Sequence, residues 1–115
     1  MARVTKQIRR GDVYWIALDP VVGSEIQKTR PGVVVSNDSC NAFGMRIVVV
    51  PVTGNVTSLY PGEAMVLIKG RRGRVLGDQA RSVDRARLRG RIGRLTAAEV
   101  AVVDEALRIT LALVP

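Results

Sequence analysis

Apolar residues come in short runs, each closed by Gly, Pro, Asn or Asp, until the spacing changes in the C-terminal segment. Asp12 to Leu18 (DVYWIAL) reads as a first strand. Asp19-Pro20 and Gly23 break it, and Val21 to Thr29 reads as a loop. Gly32 to Ser36 (GVVVS) and Arg46 to Val52 (RIVVVPV) are continuous apolar runs, the pattern of buried strands. Pro51 has no N–H to give to a ladder, which predicts a bulge or a sheet edge at that point. Asn37 to Gly44 (NDSCNAFG) is rich in turn residues, with room for a short helical turn. Gly54 to Gly62 reads as loop and Glu63 to Lys69 (EAMVLIK) as strand. Gly70 to Gly73 (GRRG) reads as a basic hairpin turn. Arg74–Leu76 and Gln79–Val83 read as strands flanking Gly77-Asp78.

The final segment has a helical period. Thr96 and Glu99 have the spacing of a capping box, in which hydroxyl and carboxylate each accept the other residue's amide. Val100, Val103, Leu107, Thr110, Leu111 and Val114 follow on one face, giving an amphipathic helix of about four turns. Several strands and one covering helix predict a mainly β fold: a small barrel or bent antiparallel sheet with a C-terminal α-helix. No repeat or composition break divides residues 1–115, so a single domain is expected.

Composition narrows the chemistry. The chain has no His, which removes Ser-His-Asp and Cys-His triads and HExxH zinc sites, and it predicts neither cofactor nor metal. Cys40 is alone, so no internal disulfide can form. The N-terminal stretch MARVTKQIRRGD lacks an apolar core of a secretion signal, and no apolar run approaches a membrane span. A soluble, cytoplasmic protein is expected. The four aromatic residues, Tyr14, Trp15, Phe43 and Tyr60, are too few for a binder that lays bases on a row of rings.

Charge is the strongest compositional signal. The net charge is +8, and all of it lies between Lys69 and Arg94, where ten cations face only Asp78 and Asp84. Nine of those ten are Arg, whose planar fork suits phosphate. The clustering favours a nucleic-acid surface over a merely solvated basic face, and an acidic protein partner is compatible with it.

Two segments place polar residues at strand ends. In one, a loop carrying Glu25 leads to Arg30, which Pro31 holds stiffly at the start of a buried strand. In the other, Thr53 closes the run VVVPV. If those strands are antiparallel neighbours, Arg30 and Thr53 share a rim and can grip one phosphate. Each residue also has a plainer reading. Arg30 could pair with Glu25 or Asp19, Thr53 could satisfy a turn, and Asn37-Asp38 could be turn chemistry.

Taken together and in order, GDVYWIALDPVVGSE, RPGVVVSND with Asn41 following, VVVPVT, GDQARSVD and the tail VDEALRITLALV resemble the MazF/PemK (Kid) family of toxin endoribonucleases. The resemblance runs from about Arg10 to the C-terminus. It implies an SH3-like barrel with a C-terminal helix, of the type shared by CcdB, PemK and MazF, working as a homodimer. It implies sequence-specific, metal-independent cleavage of single-stranded RNA, chiefly mRNA, to 2′,3′-cyclic phosphate and 5′-hydroxyl ends. The implied protein partner is a cognate, MazE-like acidic antitoxin whose extended tail fills the RNA groove.

By that resemblance the catalytic Arg and Thr are Arg30 and Thr53, and the active-site Glu is Glu25. Ser24, Lys28, Asn37, Arg72, Asp78, Gln79 and Arg81 are the expected RNA-binding residues. There are departures. Ile26 follows Glu25, and Gln27-Lys28-Thr29 replace the family's glycines, so base preference does not transfer. Leu76 and Gly77 stand where the PemK branch carries a further Arg, so a role of that Arg in proton transfer does not carry over and Arg30 must do more. Glu25 is the candidate base, or the group that orients Arg30. Two other classes remain open on sequence grounds: a CcdB-like poison of a protein target, and a non-catalytic SH3-like nucleic-acid module.

Overall fold

The computed structural model describes residues 7–18, 23–25 and 28–114. The Asp19-Pro20 break, Val21, Val22, Ile26 and Gln27 of the expected loop, the first six residues and Pro115 lie outside that range. The elements are β1 (Asp12–Ala17), β2 (Thr29–Val34), α1 (Asp38–Phe43), β3 (Arg46–Thr53), β4 (Glu63–Ile68), β5 (Arg71–Leu76), β6 (Arg81–Asp84), β7 (Leu88–Arg94) and α2 (Ala97–Leu111). All strand pairs are antiparallel, in the order β4-β5-β3-β2-β1-β7, with β6 also on β3. The sheet curls into a half-barrel and α2 lies against it, as the expected fold class requires.

The continuous apolar runs are explained by two cores, one on each face of the sheet. Val13, Val33, Val50, Val52, Val66 and Val75 join Val103 and Ala106 of α2 on the inner face. Tyr14, Ile16, Leu18, Val34, Ile47, Val49 and Val83 pack on the other. Neighbours such as Val33–Val34 and Val49–Val50 therefore point to opposite cores. Each fully buried Val or Ile is worth about 1.5–3 kcal/mol.

Pro51 departs from its expected place at an edge or bulge. It is buried in the central strand β3, opposite Gly32 of β2. On its other side β3 pairs with β6 through Val49 and with β5 from Val52. Val50 and Pro51 fall between these two neighbours, where a missing N–H costs no ladder bond. The hairpin turn also differs from expectation. It is the two residues Lys69 and Gly70, both at positive φ, so Arg71, Arg72 and Gly73 belong to β5.

Strand β7 (LRGRIGR) was not anticipated, because its Gly and Arg residues carry no clear apolar alternation. It pairs antiparallel with β1 and is fastened there by charge. Asp12 is 2% exposed. Its carboxylate accepts from Arg94 Nη1 (2.8 Å), Arg91 Nη2 (3.4 Å) and the Arg9 amide (3.0 Å). A buried carboxylate left without such partners would be strongly destabilising.

The expected capping box is present. Thr96 Oγ1 accepts the Glu99 amide (3.2 Å) and Glu99 Oε1 accepts the Thr96 amide (2.9 Å). Glu99 Oε2 also accepts the Leu67 amide of β4 (2.7 Å), so one carboxylate caps the helix and closes a donor on the sheet's edge strand. These amide bonds, Leu67's first, hold the Glu99 carboxyl below its ordinary pKa. Folding thus favours its ionised form. That stabilisation is present above the unfolded-chain value and is lost as pH falls through the folded one. Glu99→Gln should lower the urea midpoint at pH 7, and its gap to wild type should close as pH drops below the glutamate range. Thr96→Ala should cost about 1 kcal/mol at pH 7 and keep a larger share of that cost at low pH than Glu99→Gln, because its bond to the Glu99 amide does not titrate. Paired urea melts at pH 7 and pH 3 check both; a Glu99→Gln gap that stays constant would contradict the assignment.

Candidate functional site

Register sets the site. Gly32 pairs with Pro51, Val33 with Val50 and Val34 with Val49. Continued by two residues, that register puts Arg30 opposite Thr53, the rim juxtaposition expected from the sequence. Ile16 pairs with Arg30 and Thr53 with Arg74, so one cross-strand row runs Ile16, Arg30, Thr53, Arg74. Gly32 lets β1 and β2 approach here, since a Cβ on it would lie 2.6 Å from Ile16 Cγ1.

Thr53 does satisfy a turn, because its Oγ1 accepts the Asn55 amide (3.2 Å). That contact uses a lone pair, and the hydroxyl hydrogen can still be given to a ligand. At the end of the row, Arg74 Nη1 donates to the Ser58 carbonyl (3.2 Å) and Oγ (3.3 Å) and to Glu63 Oε1 (3.3 Å). It thereby anchors the loop of residues 54–62 that follows Thr53. Sequence reading gave Arg74 no such part.

Two concavities lie near this row, and Arg30 and Thr53 line the first. One is the open mouth of the half-barrel, a cavity of about 490 Å³. Its walls are Trp15, Pro31, Val52, Ile68, Gly73 and Ile92, and its rim carries Arg30, Thr53, Lys69, Arg71 and Arg72. Gly73 keeps it open, since a Cβ there would lie 2.5 Å from Val52 Cγ1. Among the described residues, four cations and no carboxylate line this mouth. The other concavity, of about 300 Å³, opens on the outer face and is lined by Ser24, Glu25, Asp78, Gln79 and Arg81 over Leu18, Pro51 and Ala80. Strand alternation directs Arg30, Pro51 and Thr53 toward that outer face.

The expected site residues thus divide. Arg30, Thr53 and Arg72 share the mouth, whereas Ser24, Glu25, Asp78, Gln79 and Arg81 share the outer cavity. Lys28 and Asn37 line neither. Lys28 sits at positive φ just before β2, and the Asn37 side chain accepts the Cys40 amide (2.8 Å) to cap α1. The reading of Asn37 as turn chemistry is the one its contacts support.

The basic segment divides too. Lys69, Arg71 and Arg72 ring the mouth and Arg81 lines the outer cavity. Arg85 instead donates to the Asn41 and Gly44 carbonyls, Arg87 to the Ala17 carbonyl, and Arg91 and Arg94 to Asp12. These four stitch β7 and its approach to the barrel. Lys69 and Arg71 were inside the flagged segment without being singled out. Trp15 was missed because strand alternation alone does not show which end of a barrel is open.

Comparison with known proteins follows the same lines. A family model described as PemK-like, MazF-like toxin of type II toxin-antitoxin system matches residues 9–111. The chain is 42% identical over 113 residues to endoribonuclease MazF9 of Mycobacterium tuberculosis, covering 90% of this chain and 96% of that protein. It is 37% identical over 112 residues to endoribonuclease EndoA of Bacillus subtilis, covering 93% and 97%. The crystal structure of MazF from Deinococcus radiodurans superposes with a TM-score of 0.84 at 28% identity, over 95% of this chain and all of that one. The same protein crystallised with MazE gives 0.76 at 25% identity, over 96% of this chain and 100% of that one.

The packing around the row generates one expectation. Gly32→Ala forces a methyl against the fully buried Ile16 and should destabilise the fold by about 1–3 kcal/mol. Gly54→Ala, open on all sides, should change stability little. Thermal melts of the two variants check the contrast.

Proposed function

The chain belongs to the PemK-like, MazF-like toxins of type II toxin–antitoxin systems, and from that premise we propose that it cleaves single-stranded RNA, chiefly mRNA, at the Arg30–Thr53 row. The observation that carries this reading is that Arg30 and Thr53, on antiparallel strands whose register continues to them, both line a cationic mouth. The names of MazF9 and EndoA, at 42% and 37% identity, support the class of reaction.

RNA supplies its own nucleophile. The 2′-oxygen attacks the adjacent phosphorus, the P–O5′ bond breaks, and a 2′,3′-cyclic phosphate and a 5′-hydroxyl remain. The protein must align the oxygens, accept the 2′-proton, stabilise the charged phosphorane and return a proton to O5′. Arg30 stabilises the developing charge through its fork and is the candidate donor to O5′. Thr53 donates to a non-bridging oxygen. Glu25, on the outer cavity, is the candidate base or the group that orients Arg30. Ser24, Asp78, Gln79 and Arg81 would hold nucleotides beside it. No step needs a metal, so cleavage should persist in EDTA.

The MazE-bound Deinococcus MazF supports an antitoxin partner for this chain, and the cations of the mouth suit an acidic tail. A homodimer is part of the same reading. The exposed Val102, Ile109, Leu111 and Leu113 of the C-terminal helix region are apolar surface that a second copy could cover. Among the described residues no helix is long and apolar enough to cross a membrane. An mRNA substrate puts the site of action in the cytoplasm.

Arg30→Ala should slow single-turnover cleavage at saturating RNA by roughly 100-fold or more, as loss of one oxyanion donor does, with little loss of affinity. Arg30→Lys keeps the charge but loses the fork and should stay badly impaired. Thr53→Ala should be milder. Arg72→Ala should do the reverse, weakening binding and flattening its salt dependence while leaving the saturated rate near wild type. Single-turnover rates and salt titrations decide. A near-normal rate for Arg30→Ala would remove it from the chemistry. Absence of any cutting of long RNA would favour a poison of a protein target or a non-catalytic module.

A further inference from the structure

Trp15 is in the middle of β1, yet it is 45% exposed. Its strand neighbours explain this. Pro31 pairs with it on one side and Gly90 on the other, so no long side chain covers the ring from either strand. The ring instead forms part of the barrel mouth, beside Pro31, Val52, Ile68 and Ile92, and inside the rim of Arg30, Lys69, Arg71 and Arg72. An apolar mouth with an aromatic wall and a cationic rim fits a ligand that carries a flat apolar ring and a phosphate in one unit. A nucleotide is such a ligand.

We propose that Trp15 is a stacking platform for one nucleobase flanking the scissile phosphate. The base enters the barrel mouth while its phosphate stays on the rim. This rests on the RNA-cleaving reading and deepens it. Directly paired residues of neighbouring strands lie about 5 Å apart, and Pro31, Trp15's partner, adjoins Arg30 in sequence. A base on Trp15 therefore belongs to a nucleotide immediately beside the phosphate gripped by Arg30 and Thr53. Unstacked RNA bases commonly rest on aromatic rings, and such stacking tolerates any base. Trp15 is thus a positioning residue that sets the register of the strand over the catalytic row.

Trp15 is the chain's only tryptophan, so its emission reports on this one place. The probe is a short RNA around a mapped cut site, made uncleavable by a single 2′-deoxynucleotide there, and the same RNA with an abasic unit at each flanking position in turn. RNA should quench Trp15 emission to saturation. Trp15→Leu should weaken binding about tenfold or more, and Trp15→Phe should recover most of it. One abasic position should weaken wild type similarly but add little to Trp15→Leu, a coupling that mere structural damage would not produce. Because the ring is half exposed, the variants should keep wild-type far-ultraviolet circular dichroism.

Additive penalties at every abasic position would overturn the proposal. So would emission that ignores RNA but shifts on dilution of the protein, which would assign the mouth to a second copy. Emission that ignores RNA but answers to an acidic antitoxin peptide would overturn it too, in favour of a protein segment. Wild-type protein that cuts RNA without such coupling would sink only the Trp15 assignment, whereas protein that cuts no RNA would sink the broader reading with it.

Discussion

The structure turns on the change of partner along β3. One strand of Arg46–Thr53 serves β6 with its first half and β5 with its end, while β2 runs along its other edge. A strand can do this only if the sheet bends sharply where the partner changes, and Pro51 occupies that place. Its missing N–H, which would damage a regular central strand, falls where β6 has ended and β5 has not begun. The bend has two consequences. It curls the sheet so that a mouth opens beside Trp15 of β1, the end of β3 and the β4–β5 hairpin. It also leaves an outer hollow over Pro51 itself. The Arg30–Thr53 pair lies on the rim of the mouth.

The arginines divide the work by the kind of partner they find. Arg85, Arg87, Arg91 and Arg94, bound to carbonyls or to Asp12, fasten β7 and its approach, and Arg74 fastens the loop of residues 54–62. Arg71 and Arg72, beside the hairpin turn, line the mouth. A net charge of +8 concentrated in one segment is thus a poor measure of a binding surface, because part of it serves as internal fastening. The guanidinium serves both purposes for one reason: its fork matches a pair of carbonyls or carboxylate oxygens as well as it matches phosphate.

How far the sequence could be read follows from which forces act locally. The valine runs, the Thr96–Glu99 box and the proline-anchored Arg30 are encoded within a few residues, and the structure has them where the sequence put them. β7 was missed because its pairing depends on Asp12, some eighty positions away in the chain, rather than on its own pattern. The reading of Gly73 as a turn residue failed for a similar cause. What requires glycine there is Val52 of another strand. Of the candidate site, the Arg30–Thr53 pairing was legible, given antiparallel neighbours. The split into two cavities was not, because it depends on the curvature of the whole sheet, and with it went the place of Trp15 and of Glu25.

A site without histidine places unusual weight on geometry. Arg30 contributes by holding its fork where charge develops. A side chain rooted in a β-ladder beside a proline, with Gly32 drawing the next strand close, is better fixed than one on a loop. Thr53 shares that ladder, and Arg74 fixes the segment that follows it. Lys69, Arg71 and Arg72 sit at a hairpin tip, where position is less constrained but the field reaches further into solvent. Under the proposed function, capture is therefore assigned to the hairpin and chemistry to the ladder. The two are joined by Gly73, which sits on the hairpin strand and keeps the mouth beside Thr53 open.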